Sequence, residues 1–116
     1  IVAGDNTFES GISAGRLLLE VSPRPSVIVA GNDEMAAGVI HAAALAGLPV
    51  PATLSVVGFD DTPLATRIQP PLTSMNVPWT LMAREAVARI TDAPPAAGDF
   101  AAELAIRDSV QPLAAG

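Results

Sequence analysis

Hydrophobic positions follow two different periods along the chain, and their alternation predicts strands that alternate with helices. The run from Ser26 to Ala30 contains three consecutive β-branched residues, which is typical of a parallel strand covered on both faces. Before it, one apolar stripe recurs at the helical spacings of four, three and four, at Phe8, Ile12, Gly15 and Leu19.

The same alternation continues along the rest of the chain. The predicted elements are a strand end at Ile1–Ala3, a helix at Met35–Ala43, a strand at Leu54–Phe59, a short helix opened by Asp60-Asp61-Thr62-Pro63, an extended segment at Leu72–Val77, a helix at Pro78–Ile90 and a last strand around Leu104 and Ile106. This order predicts an α/β fold, a three-layer sandwich with a parallel sheet and right-handed crossovers.

Composition narrows the classes of function. The 116 residues carry 12 acidic and six basic side chains, a net charge of −6, and every basic residue is Arg. Gripping a nucleic-acid backbone or an anionic membrane needs clustered positive charge, so neither is expected of this chain. The absence of Cys and the single histidine, His41, exclude a thiolate nucleophile and a multi-histidine metal site.

The first residues carry no basic segment before an apolar one, so Ile1 to Asp5 is not expected to be a secretory signal. They look like the inside of a strand, and we expect the chain to be cut from a longer one. Since no apolar run reaches the roughly 20 residues of a membrane span, no such span is predicted.

Short polar pairs follow the three predicted strand ends: Asp5-Asn6, Asn32-Asp33 and Asp60-Asp61. Because ligands bind outside the carboxyl ends of the strands in open parallel sheets, these side chains are expected to converge on one edge. Carboxylates and amides suit vicinal hydroxyl groups, since they accept and donate hydrogen bonds in fixed directions. The alternative is that each residue caps a helix or forms a turn.

Other chemistry finds less support. The sequence has no G-x-x-x-x-G-K-[ST] phosphate loop and no G-x-G-x-x-G dinucleotide fingerprint. No cofactor, catalytic residue or metal is expected, although an enzyme that holds Mg²⁺ at acidic strand ends stays an alternative. Trp79 opens a predicted helix, where it could pack as a staple in the core or offer a stacking platform for a sugar.

A series of motifs resembles one known family. The segments are VAGNDEMAAG at Val29–Gly38, GLPVP at Gly47–Pro51, LSVVGFDDT at Leu54–Thr62 and PPLTSM at Pro70–Met75. Gly4-Asp5 with Ser10-Gly11, and Arg107-Asp108-Ser109, fit the same order and spacing. Over nearly its whole length the chain thus resembles the effector-binding core of the lactose-repressor/galactose-repressor (LacI/GalR) family of bacterial transcription regulators.

The resemblance implies a domain organisation. Members carry an N-terminal helix-turn-helix and a core of the periplasmic-binding-protein type I fold, in which two subdomains enclose a cleft. Residues 1–75 would form the C-terminal, effector-binding subdomain. Residues 76–99 would be a crossover helix of the N-terminal subdomain with its loop, and residues 100–116 the return strand and tail of the C-terminal subdomain.

The resemblance also implies site residues. Asn6, Asn32 and Asp60 match positions that contact the effector, and Trp79 falls where some members place an aromatic in the cleft. Many members have a stacking aromatic at the position of Asn6, so the amide departs from the pattern. The expected supporting residues are Asp5, Asp33 and Phe59.

The function implied is a ligand sensor for a cytoplasmic transcription regulator, not an enzyme, with a sugar or related molecule as effector. DNA would be bound only through a helix-turn-helix outside this chain, and no membrane partner is expected. The alternative is a periplasmic sugar-binding protein of a transport system. A homodimer is expected, with small side chains around His41 as one contact surface, at Ala36, Ala37 and Ala44.

Overall fold

The computed structural model describes residues 1–112, so the last four residues of the predicted tail, 113–116, lie outside the described part. The helices are α1 (Phe8–Leu19), α2 (Asp33–Leu45) and α3 (Trp79–Thr91), with a 3₁₀ helix at Pro63–Thr66. The strands are β1 (Val27–Val29), β2 (Ser55–Phe59), β3 (Thr73–Asn76) and β4 (Glu103–Ala105). The predicted α/β class is confirmed, while the predicted strand end at Ile1–Ala3 belongs to none of the described strands.

Local capping chemistry sets where the first two helices begin. The Thr7 hydroxyl accepts a hydrogen bond from the Ser10 N–H at 3.1 Å, and the Asn32 side-chain oxygen accepts from the Met35 N–H at 2.8 Å. Each bond satisfies a backbone N–H that has no partner within the helix. By contrast, α3 begins after Pro78 without a side-chain cap.

The strands form one sheet in the order β1-β2-β3-β4. The first two pairings are parallel, and β4 runs antiparallel to β3, with Ser74 opposite Ala105. The sheet is therefore mostly parallel, as predicted, and the antiparallel β4 is its exception. The chain leaves β3 for α3 and returns through the loop at residues 93–99, so it re-enters the sheet from the end at which it left.

The core lies between the sheet and the pair α1 and α2. Its least exposed members come from both layers: Ala36, Ala43, Leu54, Val56, Ala65 and Leu72. The two helices approach very closely, because a Cβ at Gly11 would collide with the Met35 carbonyl and one at Gly38 with the Phe8 carbonyl. Glycine at these two positions therefore permits the helix contact.

This close contact corrects one prediction. Ala36 and Ala37 are buried, so they cannot contribute to an exposed small-residue surface. Their neighbours His41 and Ala44 are exposed. The His41 ring lies 5.6 Å from that of Phe8, centroid to centroid, in a tilted arrangement.

The opposite side of the sheet, here called the open sheet face, is exposed along β1 and around Phe59 and Leu104, while Thr73 on the same face is buried. Val27 and Val29 of β1 are exposed, the latter to 72%, so the prediction that both faces of this strand are covered is wrong. Phe59 and Leu104, which lie on this face through their register with Met75, are also exposed. Helices α1 and α2 cover one side of β1 only.

Helix α3 stands apart from this core. Ala88 is its one buried residue, and its exposed apolar side chains include Met82, Val87 and Ile90. Glu85 ties α3 to the loop that follows, because its carboxylate accepts from the Ala96 N–H at 2.9 Å. In residues 1–112 no helix combines the length and the apolarity needed to cross a bilayer.

Candidate functional site

The three polar pairs predicted at the strand ends are brought together at one edge of the sheet. The Asn32 side-chain N–H donates to the Asn6 carbonyl at 3.0 Å, which joins the first pair to the second. The Asp33 carboxylate accepts from the Thr62 N–H at 2.6 Å, which joins the second pair to the segment that holds the third. We call this set of residues the strand-end edge.

The backbone at this edge adopts an uncommon conformation. Asn6, Asp60 and Asp61 have φ angles of 70°, 95° and 50°. Side chains other than glycine rarely take such values, and they persist only where neighbouring contacts hold them. Among the described residues the only other non-glycine case is Asp92, at the end of α3.

Three consecutive N–H groups hold the segment after β2. The Asp60 N–H donates to the Met75 carbonyl at 3.0 Å, and the Asp61 N–H donates to the Ser74 hydroxyl at 3.1 Å. The Thr62 N–H donates to the Asp33 carboxylate. Because every N–H is fixed from outside the loop, the left-handed backbone at the first two residues is well determined.

Asp33 is the buried centre of the edge, with 1% of its surface exposed. One carboxylate oxygen accepts from the Ser74 hydroxyl at 2.5 Å. The other accepts from both the N–H and the hydroxyl of Thr62, the latter at 3.0 Å. A buried charge with this many hydrogen bonds is compensated locally.

Asp61 is bound on both sides. Its Oδ2 accepts from the Asn76 side chain at 2.9 Å, and its Oδ1 lies 2.7 Å from Nη2 of Arg107. Partial burial raises the pKa of the Asp61 carboxyl, but the hydrogen bonds from Asn76 and Arg107 and the Arg107 charge outweigh it. The pKa therefore lies below its ordinary value.

Asp5 and Asn32 are engaged by their own neighbours. The Asp5 carboxylate accepts from the Thr7 hydroxyl at 2.6 Å and from the Thr7 N–H. The Thr7 hydrogen bond, with a further contribution from Ser10, lowers the pKa of Asp5. The Asn32 amide uses its oxygen for Met35 and one hydrogen for Asn6, which leaves one N–H for another acceptor.

Asp60 differs from these residues. Its carboxylate is half-buried and, in the part of the chain that the structure describes, has no side-chain hydrogen bond or ion pair. The backbone that carries it is the most tightly held at the edge. A fixed carboxylate with free acceptor positions can bind hydroxyl or amine groups of a ligand.

The two aromatic candidates lie outside this network. Trp79 is the first residue of α3 and is 53% exposed. No hydrogen bond within residues 1–112 joins its side chain to the three pairs. Phe59 precedes Asp60 but belongs to the open sheet face.

Sequence reasoning missed several residues of the edge. Thr62, Ser74, Asn76 and Arg107 supply its cross-links. A polar residue within the buried β3 run was the available signal for Ser74, whose 0% exposure requires a partner for its hydroxyl. Nothing local marks Arg107 as a partner of Asp61, because the two lie in distant parts of the chain.

Two kinds of catalytic site can be tested on the geometry, a serine nucleophile and the alternative of a metal-dependent enzyme. Gly11-Ile12-Ser13-Ala14-Gly15 matches the G-x-S-x-G pattern, but it lies inside α1, where the Ser13 hydroxyl donates to the Glu9 carbonyl. A nucleophile elbow needs a strand-to-helix turn instead. No group of three or more potential metal ligands is assembled among residues 1–112.

Comparison with protein families matches residues 2–110 to a periplasmic binding protein-like domain. The chain is 51% identical over 78 residues to catabolite control protein A of Priestia megaterium, a match that spans 67% of this chain and 24% of that relative. It is 42% identical over 79 residues to the lactose operon repressor of Rhizobium radiobacter, across 68% of this chain and 70% of the relative. The chain thus spans about a quarter of the length of the first relative.

Solved structures show the same likeness. A LacI family transcriptional regulator from Lactobacillus casei with bound sucrose superposes with a TM-score of 0.81 at 30% identity. The match covers 90% of this chain and 41% of that one. The fold therefore agrees over almost the whole chain with part of a sugar-bound regulator.

Proposed function

The chain belongs to the LacI/GalR family of regulators with a periplasmic binding protein-like domain, and from this membership we propose that it senses a small-molecule effector for a transcription regulator. The effector class proposed is a neutral sugar or a related polyol. The sucrose-bound relative from Lactobacillus casei supports this class, as do the carboxylate and amide groups of the strand-end edge.

In this proposal Asp60, Asn32 and Asn6 contact the effector. Asp60 accepts from its hydroxyl groups, and the remaining Asn32 side-chain N–H donates to an oxygen. Asp5 and Asp33 support them through the turn before α1 and the loop after β2. Phe59 is proposed as a further support next to Asp60.

The observation that carries the proposal is the Asp60 carboxylate, which has no side-chain partner among residues 1–112 and lies on a fixed, left-handed backbone. Such a conformation costs about 1–3 kcal/mol for a residue other than glycine. If Asp60 were only a turn former, glycine or asparagine would fill the position at lower cost. A role of this carboxylate in ligand binding would explain why an aspartate is kept at a position where its backbone conformation is unfavourable.

We propose that the effector cleft is shared between two subdomains, with residues 1–75 and 100–116 in one and residues 76–99 in the other. The isolation of α3 from the core supports this division, since its apolar side chains find no cover in the described chain. Trp79 would then face the effector from the opposite wall and stack on it. The effector would bind the closed cleft more tightly than the open one, and it would therefore raise the fraction of molecules in the closed state.

The wider regulator is proposed to be a cytoplasmic homodimer that binds DNA through a helix-turn-helix outside this chain. Relatives that are named repressors and control proteins support this. The net charge of −6 agrees with a sensor that does not itself hold DNA. No enzyme activity, cofactor or metal is included in the proposal.

A periplasmic sugar-binding protein of a transport system is the competing function. The named relatives are regulators, which favours the sensor. The coding sequence upstream of this chain discriminates the two, because a helix-turn-helix supports the regulator and a secretory signal supports the transporter.

The proposal is tested by titration calorimetry of the longer protein against neutral mono- and disaccharides that include sucrose. We expect one sugar to bind, and Asp60→Gly to weaken that binding. Glycine is the matched replacement here because it keeps the left-handed backbone while it removes the carboxylate. Equal affinity of the two proteins would refute the assignment of Asp60.

A further inference from the structure

The Asp61 side chain contacts residues that are distant in sequence, whereas a residue that only forms a turn needs local contacts. Its carboxylate joins Asn76 at 2.9 Å and Arg107 at 2.7 Å. The side chains of Asp61 and Arg107 are only 11% and 21% exposed, so the ion pair is largely shielded from water. We call these three residues the Asp61 clamp.

The clamp connects three separate parts of the chain. Asn76 is the last residue of β3, from which the chain passes to α3. Arg107 follows β4, where the chain has returned from α3. Asp61 therefore holds both segments that flank α3.

Arg107 is itself fixed to the sheet. Its Nη1 donates to the Leu72 carbonyl at 2.7 Å, and its backbone N–H donates to the Thr73 hydroxyl at 2.8 Å. The Thr73 hydroxyl donates in turn to the Arg107 carbonyl at 3.1 Å. With its planar group held at two points, the guanidinium presents a defined position to Asp61.

Asp61 adjoins Asp60, whose carboxylate has no side-chain partner in the described part of the chain, and both residues have left-handed backbones. An anchor on the second residue restricts the rotation of the first, because the two share a peptide plane. The direction of the Asp60 side chain thus depends on where Asp61 is held.

We infer that Arg107 is a positioning residue of the strand-end edge, which aims the Asp60 carboxylate through Asp61 and joins the site to the two segments flanking α3. The role in effector binding rests on the proposed function. The aiming of Asp60 is a property of the chain without ligand and can be measured without one.

The first measurement is nuclear magnetic resonance of the 116-residue chain. Arg107→Met is expected to shift the backbone amide and side-chain carboxyl signals of both Asp60 and Asp61. Arg24→Met is the matched control, because Arg24 also donates to a backbone carbonyl, that of Leu19, but lies before β1 at the other end of the sheet. Asp60 signals that move no more in Arg107→Met than in Arg24→Met would overturn the inference.

A second variant covers the case in which Arg107→Met does not fold. Arg107→Lys keeps the positive charge but loses the planar fork. We expect it to shift the Asp60 signals in the same direction by a smaller amount. An unshifted Asp60 in a folded Arg107→Lys chain would count against the role of Arg107.

The second measurement is a double-mutant cycle on sugar binding by the longer protein, with the sugar that binds most tightly among those tested. We expect Arg107→Met to weaken binding about tenfold and Asp61→Asn/Arg107→Met to weaken it by no more than that, since the loss of either partner already releases the anchor next to Asp60. Additive losses would overturn the coupling. If the unchanged protein binds none of the sugars, the proposed function fails, while the resonance signals still decide the inference about Arg107.

Discussion

The strand-end edge and α3 differ in how their side chains are satisfied. At the edge, polar groups that lie far apart in sequence satisfy one another, from Asp33 through Ser74 and Asp61 to Arg107. On α3, apolar side chains such as Val87 and Ile90 face solvent, and the helix packs mainly against its own following loop.

The two regions therefore differ in what they lack: the strand-end edge has polar positions open to a ligand, and α3 has apolar side chains open to solvent. Within residues 1–112 the edge pairs the charges of Asp33 and Asp61 and leaves the Asp60 carboxylate without a partner, whereas several apolar side chains of α3 lack cover. Both gaps fit the proposal of a cleft shared with a second subdomain, since a ligand would fill the first and neighbouring elements the second.

The largest expected effect is on the centre of the edge. Asp33→Ala leaves the Thr62 N–H and the Ser74 hydroxyl without their acceptor, and we expect a loss of about 3 kcal/mol in the free energy of unfolding. Asp99→Ala, in the loop after α3, is the matched control, because Asp99 is exposed and accepts only from the Ala101 N–H. Urea denaturation of the two variants measures the contrast, and equal losses would contradict it.

The next effect concerns binding rather than folding. Asp60→Gly, which keeps the left-handed backbone, is expected to weaken effector affinity by about 1.5–3 kcal/mol, the usual contribution of a hydrogen bond to a charged group. The stability of the chain should change little, because this carboxylate has no partner among the described residues. Calorimetry and thermal unfolding of the same variant separate the two quantities. A variant that loses stability but keeps its affinity for the effector would show that residue 60 serves folding and not binding.

A smaller effect is expected from pH. The folded-state pKa of Asp61 is lowered, so its contribution is fully present at neutral pH and is lost as the pH falls below about 5. We expect the loss to be under about 1 kcal/mol, because the burial of the carboxyl offsets much of the stabilisation by Asn76 and Arg107. Asp61→Asn should flatten the acid limb of the stability curve.

Glu85 on α3 provides the comparison for this pH effect. The pKa of Glu85 is also lowered, first by the hydrogen bond from Arg89 and then by the Ala96 N–H. Since Arg89 is 78% exposed, Glu85→Gln is expected to change the acid limb less than Asp61→Asn. A larger change in the Glu85 variant would contradict this difference between the regions.

The smallest effect on stability is expected on α3. Ile90→Glu should alter the free energy of unfolding of this chain by no more than about 0.5 kcal/mol, because Ile90 is exposed. It should, however, reduce self-association, since it places a charge in an exposed apolar face. Sedimentation at several concentrations measures this, and a strictly monomeric unchanged chain would refute the expectation.

Local rules predict the elements of this fold well. Asn32 caps α2 as its position after β1 indicates, and the stripe from Phe8 marks α1 within the bounds found. Burial was less predictable. The run at β1 reads as covered on both sides, but Val27 and Val29 are exposed because no helix of the described chain packs there.

The sequence allowed most residues of the strand-end edge to be predicted, but not which of them bond to one another. The pairs at Asn32-Asp33 and Asp60-Asp61 follow from strand ends alone. Their cross-links depend on Ser74 and Arg107, whose partners are set by the order of the strands and by the antiparallel return of β4. That order is a long-range property, which hydrophobic periodicity does not encode.

The return of β4 also sets when the edge can be completed during synthesis. A ribosome delivers the chain from its N-terminus, so Asp33, Asp60 and Asp61 emerge well before Arg107. Until the last strand docks, the carboxylate of Asp61 lacks its guanidinium partner. A nascent chain would therefore acquire a correctly aimed Asp60 only after Arg107 has emerged, and a chain that stops before Arg107 would contain the strand-end residues without the ion pair to Asp61.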